Sequence, residues 1–273
     1  MGRGSSKAGG GGGGGGISIP ITPQIQPQPQ PQPTQPAQAT TASGVTYDQF
    51  MQMNEDQRYQ TINNIIADQN IVVPSYLDSS QTSKVIYALG MNNKPTVVSE
   101  SQLDAMQGRE IYRTVYDPNV PKMTTADVLD QVRNGEYTQM SGQYSSAHSR
   151  ALYFATKFTD STVYGHGYHD PMVMRAKINP NANIRSERSL YNQMSSDSTW
   201  ATRTNGKGIN YKDELSLYAI AHGVDGWYSN TYTMLVNRGA ITASSQNRRI
   251  GARNVKSGNV TQVSSWNAAA IVP

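Results

Sequence analysis

Tyr153-Phe154-Ala155-Thr156-Lys157-Phe158-Thr159-Asp160-Ser161-Thr162-Val163-Tyr164 reads as a short apolar strand, a cap, and one turn of helix ending in Tyr. Strand and helix turn together set Tyr153, Ser161 and Tyr164 around one pocket, with two aromatic faces and a hydroxyl. Such a pocket suits a flat, amide-bearing ring, because aromatic faces stack on it and a hydroxyl both donates and accepts. Glu110-Ile111-Tyr112-Arg113-Thr114-Val115 upstream and Tyr232-Thr233-Met234-Leu235-Val236-Asn237-Arg238-Gly239 downstream add weight to the string.

Upstream, Arg109 to Tyr116 alternates like a strand, with Ile111, Arg113 and Val115 on one face. A cation between two apolar neighbours has two readings. It is buried against an anionic or hydrogen-bonding partner, or it is an edge-strand Arg reaching solvent. Tyr153 is likewise open between core packing and ligand contact, whereas Tyr164, beside Gly165 and Gly167, is a poor core residue. Further out, Thr46 to Gln69 predicts two helical pieces, the second capped by Asn54 with Gln57 three residues on. Ser80 to Leu89 predicts a helix stopped by Gly90, Ser99 caps a short one, and Thr124 with Asp127 opens another that Gly135 closes. Met172 to Ile178 alternates as a strand, Ser186 caps Glu187 to Met194, and Ser195 to Asn210 reads as a polar loop. A helix from Asp213 to His222, and strands at Gly226–Tyr228, Tyr232–Val236 and Ala240–Ala243, follow. Helices first and short strands later are an α+β pattern.

Low complexity sets the boundaries. Residues 1–44 hold a glycine run from Gly9 to Gly16 and a Pro/Gln repeat from Pro23 to Pro36, the composition of a disordered arm. Residues 244–273 are polar and mildly basic, with the Arg248-Arg249 pair, and read as a tail. Residues 45–243 remain, roughly 200, enough for one domain with a core. The net charge of +4 permits nucleic-acid contact through the tail without arguing for it. With no cysteines, disulfides and thiolate metal sites are excluded. No apolar run approaches the roughly 18 residues of a membrane span, and no hydrophobic stretch resembles a signal peptide, so no membrane partner is expected. His148, His166, His169 and Asp170 read as loop residues, and no metal is expected.

The order of a strand Arg, then Tyr-Phe-Ala with a Ser/Tyr helix turn, then a strand leading into Asn-Arg-Gly resembles the ADP-ribosyltransferase superfamily. Ile111-Tyr112-Arg113-Thr114-Val115 resembles the first-strand motif of its Arg-Ser-Glu class, and Leu152 to Tyr164 the nicotinamide pocket of the poly(ADP-ribose) polymerases. Ala219 to Gly239, Tyr87-Ala88-Leu89 and Lys94 to Val98 are similar to phage-encoded members. The likeness spans roughly residues 76–243 and implies a split, bent β-sheet core with N-terminal helices. It further implies NAD as substrate and a protein acceptor. By the same likeness Arg113 contacts the NAD phosphates and ribose, Ser161 the nicotinamide amide, Tyr164 stacks on the ring, and Tyr153 lines the other side. Ser149, Phe154 and Asn237 complete the implied set.

In that class a Glu stands four residues before Asn-Arg-Gly, with a Glu or Gln two earlier. Here Thr233 and Thr231 occupy those places. Thr carries no negative charge to stabilise an oxocarbenium ion, so another carboxylate serves (Asp225, Glu214 or Glu136), turnover is slow, or catalysis is lost. The expected function is mono-ADP-ribosylation of a protein by a phage-encoded enzyme, with Arg113, Glu214 and Asp225 as the catalytic set. The alternatives are a degenerate fold serving as a virion structural protein, and a nucleic-acid-modifying member.

Overall fold

Short polar side chains that accept from the backbone start the N-terminal helices. The computed structural model describes residues 43–75, 77–91, 95–115, 123–134, 150–163, 172–204 and 208–249. Thr46 and Gln49 form a capping box at α1 (Tyr47–Gln52), and Asn54 and Gln57 form one at α2 (Glu55–Ala67). Ser80 caps α3 (Gln81–Ala88), β1 (Thr96–Val98) follows, and Ser99 with Gln102 boxes the start of α4 (Glu100–Ala105). Each cap satisfies backbone donors with no partner inside the helix and is worth about 1 kcal/mol. The chain continues through β2 (Glu110–Val115), α5 (Thr125–Asn134), β3 (Leu152–Ala155), α6 (Phe158–Val163), β4 (Met172–Ile178) and β5 (Ile184–Ser186). Then come α7 (Glu187–Ser196), α8 (Ser198–Thr204), α9 (Glu214–Ala221), β6 (Gly226–Tyr228), β7 (Tyr232–Leu235), β8 (Ile241–Ser244) and β9 (Arg248–Arg249).

The strands form one mixed sheet in the order β1-β8-β4-β2-β3-β7-β6-β5, with β9 pairing β4. Mixed sheet and helices together make the α+β class. Between β2 and β3 the register holds one pair, Tyr112 opposite Ala155. Side chains alternate across the sheet, which gives it two cores. On one face Ile111, Val115, Leu152, Phe154, Met174, Ala176 and Leu235 pack with Val128 and Val132 of α5. On the other, Met234 and Trp227 pack under α2, α3, α7 and α9 through Ile62, Val85, Leu190 and Tyr218. The α9 helix is apolar all round and buried, and ends at Gly223, whose φ of +65° favours glycine. Gly226 is demanded by space: a Cβ there would sit 2.2 Å from the Met234 carbonyl oxygen.

Several elements differ from expectation. The polar stretch expected as loop contains α8, because Asp197 Oδ1 accepts from the backbone of Thr199 (2.9 Å) and Trp200 (3.0 Å), and Trp200 is buried. The edge strands β1 and β5 are three residues long and pair in parallel with β8 and β6, a pairing no local pattern announces. Sheet structure runs past Ala243: Ser244 closes β8, and Arg248 and Arg249 of the expected tail pair with Val173 and Met172. Residues 137–140, whose sequence also suggests a strand, lie outside the described residues.

The strand β4 is buried along its length, yet carries Arg175 and Lys177. Arg175 Nε donates to Glu110 Oε1 (2.8 Å) and its Nη2 to Glu110 Oε2 (2.9 Å) and Asp104 (2.5 Å), with Glu100 at 3.6 Å. Lys177 donates to the carbonyls of Met106 (2.9 Å) and Asp104 (3.2 Å). Burial pushes the Glu110 carboxyl up, but the bonds from Arg175 and Tyr112 outweigh it and hold the group below the ordinary glutamate range. A lowered folded value adds stability above the unfolded pKa and loses it as pH falls through the folded one. Replacing Arg175 by Met therefore costs about 3 kcal/mol at neutral pH, read by urea unfolding. It also shrinks the acid-side slope of stability against pH; an unchanged slope would contradict the role given to Glu110.

Candidate functional site

Strands that share one register pair splay apart, and here side chains bridge what the ladder leaves open. Arg113 Nη1 donates to the Tyr153 carbonyl at 2.7 Å. One residue on, Thr114 Oγ1 donates to the Ser161 carbonyl at 2.5 Å and lies 3.0 Å from Ser161 Oγ. Ser161 is buried in α6, where its N–H donates to the Lys157 carbonyl at 3.1 Å. The helix start is anchored as well: Phe158 packs edge-on against Tyr112 at 5.8 Å between ring centroids, and Thr156 N–H donates to the Thr231 carbonyl at 3.1 Å. The join of β2, β3 and α6 is thus bridged twice from β2: Arg113, on the Ile111 and Val115 face, reaches the Tyr153 backbone, and Thr114, on the alternate face, reaches Ser161.

Arg113 lies on the face of Ile111 and Val115, both buried, and is itself half-buried, with a carbonyl among its partners. The reading of a buried cation with a hydrogen-bonding partner fits, and the partner is backbone. Tyr153 packs its ring on Tyr232 with centroids 5.5 Å apart, and Tyr232 donates to Glu187 Oε2 at 2.6 Å. Burial, reinforced by that bond, raises the Tyr232 phenol far above its ordinary value, so it stays a donor. Phe154 points to the opposite face, fully buried, across from Thr233. Thr233 is fully buried too, and its hydroxyl has no hydrogen-bond partner among the described residues.

Asp225 and Asn237 meet each other elsewhere. Asp225 Oδ1 accepts from Asn237 Nδ2 (2.7 Å) and Tyr47 (3.3 Å), and Oδ2 accepts from the Asn183 N–H (2.8 Å). Asn237 also caps the 3₁₀ turn Arg238–Ala240. Leu235 is opposite Leu152 and Tyr232 is opposite Ala155, so Asp225 and Asn237 lie near the β3 end remote from α6, roughly 10 Å or more along the strand. Glu214, half-buried, opens α9 and touches none of this group. Ser149, Tyr164, Glu136 and the loop histidines lie outside the described residues.

Sequence reasoning missed Thr114 and Glu187. Thr114 follows Arg113 on the alternate face, and alternation alone aims it at whatever covers that face. Glu187 had a signal only as a first-turn helix residue; its place beside the Tyr153–Tyr232 pair depends on the parallel pairing of β5 with β6. Scans against family models, curated proteins and solved structures return no match for this chain. Among the described residues no helix is long and apolar enough to cross a membrane.

Asp225 ties α1, the β4–β5 connection and the chain after β7 together. Its replacement by Ala orphans three donors and costs about 2 kcal/mol, measurable as a shift in urea midpoint with unchanged m-value. An unchanged midpoint would contradict the scaffold role given to Asp225.

Proposed function

We propose that the chain is an NAD-dependent mono-ADP-ribosyltransferase acting on a protein, on an ADP-ribosyltransferase-type split sheet, as part of a phage. The observation that carries this reading is the join of β2, β3 and α6, where Arg113 reaches the Tyr153 carbonyl and Thr114 reaches Ser161. Nicotinamide needs an aromatic face and a polar anchor for its amide; Tyr153 offers the first, and the buried hydroxyl pair of Thr114 and Ser161 would have to open to offer the second. The NAD pyrophosphate needs a fork of donors, and the planar guanidinium of Arg113 is of that kind.

The reaction breaks the bond between the ribose anomeric carbon and the nicotinamide nitrogen, whose electron pair leaves with nicotinamide. An acceptor nucleophile bonds to the anomeric carbon and releases its proton. Positive charge builds on the ribose in between, so a carboxylate nearby lowers the barrier. Glu187 takes that role better than Asp225 or Glu214. It reaches Tyr232, the cross-strand partner of Ala155, and so stands at the α6 end of β3, while the Asp225 carboxylate is spent on scaffold bonds.

A structural virion protein of degenerate fold is the second reading, and the buried Thr233 in the place of the usual Glu favours it. The nucleic-acid reading loses two of its cations, since Arg248 faces Glu100 at 3.3 Å and Arg249 donates to the Met123 carbonyl. Purified protein incubated with labelled NAD, with and without bacterial lysate, separates the two main readings. Release of nicotinamide and transfer of label are expected, abolished in Arg113→Ala and lowered by roughly 10²-fold in Glu187→Gln, with both variants folded by circular dichroism. Intact NAD and no transfer would make the chain a structural protein; full activity in Glu187→Gln would remove Glu187 from the chemistry.

A further inference from the structure

A second cluster of chemical side chains lies in the helical layer, apart from the seam. Glu55 at the start of α2, Asp197 between α7 and α8, and His222 just after α9 bring two carboxylate oxygens and an imidazole nitrogen within 4.8 Å of one another. Asp197 Oδ2 is 3.9 Å from His222 Nε2. Three helical elements far apart in sequence converge here. We propose that Glu55, Asp197 and His222 bind a divalent first-row transition cation of the zinc class. This is independent of the NAD reading.

The donor set selects the class. Imidazole nitrogen with carboxylate oxygen suits zinc, cobalt or manganese, whereas magnesium and calcium sites are built from oxygen alone. Three protein ligands leave a position for water, as at an open zinc site. In a tetrahedral site the ligand atoms stand about 3.4 Å apart, and rotation of the exposed Glu55 side chain closes the set.

The surroundings orient the ligands. Asp197 Oδ1 is held by the N–H groups of Thr199 and Trp200, and Tyr218 donates to Oδ2 at 3.3 Å, so the carboxylate is fixed towards His222. Tyr218 stacks on the imidazole at 4.1 Å between centroids, and Tyr59 and Trp200 complete an aromatic wall. Such a wall keeps out water and strengthens the attraction of carboxylates for a cation. The Tyr59 hydroxyl sits 2.9 Å from His222 Nε2 and also bonds Glu55. Cation binding requires it to give up the nitrogen and keep the carboxylate, an exchange within one cluster.

The test is titration of the full chain, stripped with a chelator, with cobalt and zinc chloride, read by calorimetry and by the visible absorption of bound cobalt. One site per chain is expected, unaffected by the double substitution His166→Ala and His169→Ala. Glu55→Gln and His222→Ala should each weaken it by at least roughly tenfold, since loss of outer-shell partners alone costs that much. Glu55 is exposed, so Glu55→Gln keeps the metal-free melting temperature and guards against loss of fold as the cause. No uptake, uptake indifferent to both ligand substitutions, or uptake lost with His166 and His169 would each overturn the proposal.

Discussion

Tyr112 opposite Ala155 is the one register pair that holds β2 to β3, and through it the two halves of the sheet. Past that pair the strands diverge, and backbone groups that a regular ladder would pair need other partners. Arg113 and Thr114 bridge this opening, the first to the Tyr153 carbonyl and the second to α6. A continuous ladder would have paired those backbone groups directly; here two side chains on alternate faces of β2 do so instead.

Two clusters of charged side chains lie away from that seam, and they do different work. Arg175 and Lys177 are matched by carboxylates and carbonyls from α4 and β2, so their layer is saturated and locks α4 onto the sheet. The Glu55, Asp197 and His222 group sets two carboxylates beside an imidazole, and phenols occupy part of its acceptor capacity. A saturated network resists change; an acceptor-rich one takes up a cation. The distinction rests on the donors and acceptors around each group.

Much of the fold was legible because it rests on short-range rules. Asn54 with Gln57 and Ser99 with Gln102 announce helix starts, since the bonds that make a capping box span three residues. Met172, Met174, Ala176 and Ile178 on one face follow from the two-residue period of a strand, and all four reach the same core. The α8 helix was not legible: Ser198 to Thr204 is polar, and its stability comes from the Asp197 cap and burial of Trp200 against Tyr59 and Tyr218. Nor was the sheet's extension into Arg248 and Arg249, whose composition reads as a solvated tail but whose side chains find Glu100 and the Met123 carbonyl.

For the candidate site the division is sharper. Sequence by itself determined that Arg113 shares a face with Ile111 and Val115, that Tyr153 and Phe154 point to opposite sides of a strand, and that Ser161 follows on a helix turn. Local geometry allows nothing else. Only the tertiary structure decided which carboxylate stands near them. Asp225 is drawn into bonds with Asn183, Asn237 and Tyr47, while Glu187 is carried to Tyr232 by β5 pairing with β6. It likewise decided that residues as distant as Glu55, Asp197 and His222 meet. The reason is physical: hydrogen bonds between residues near in sequence are fixed by backbone period, whereas the partner of a long-range group is set by how strands pair and helices pack.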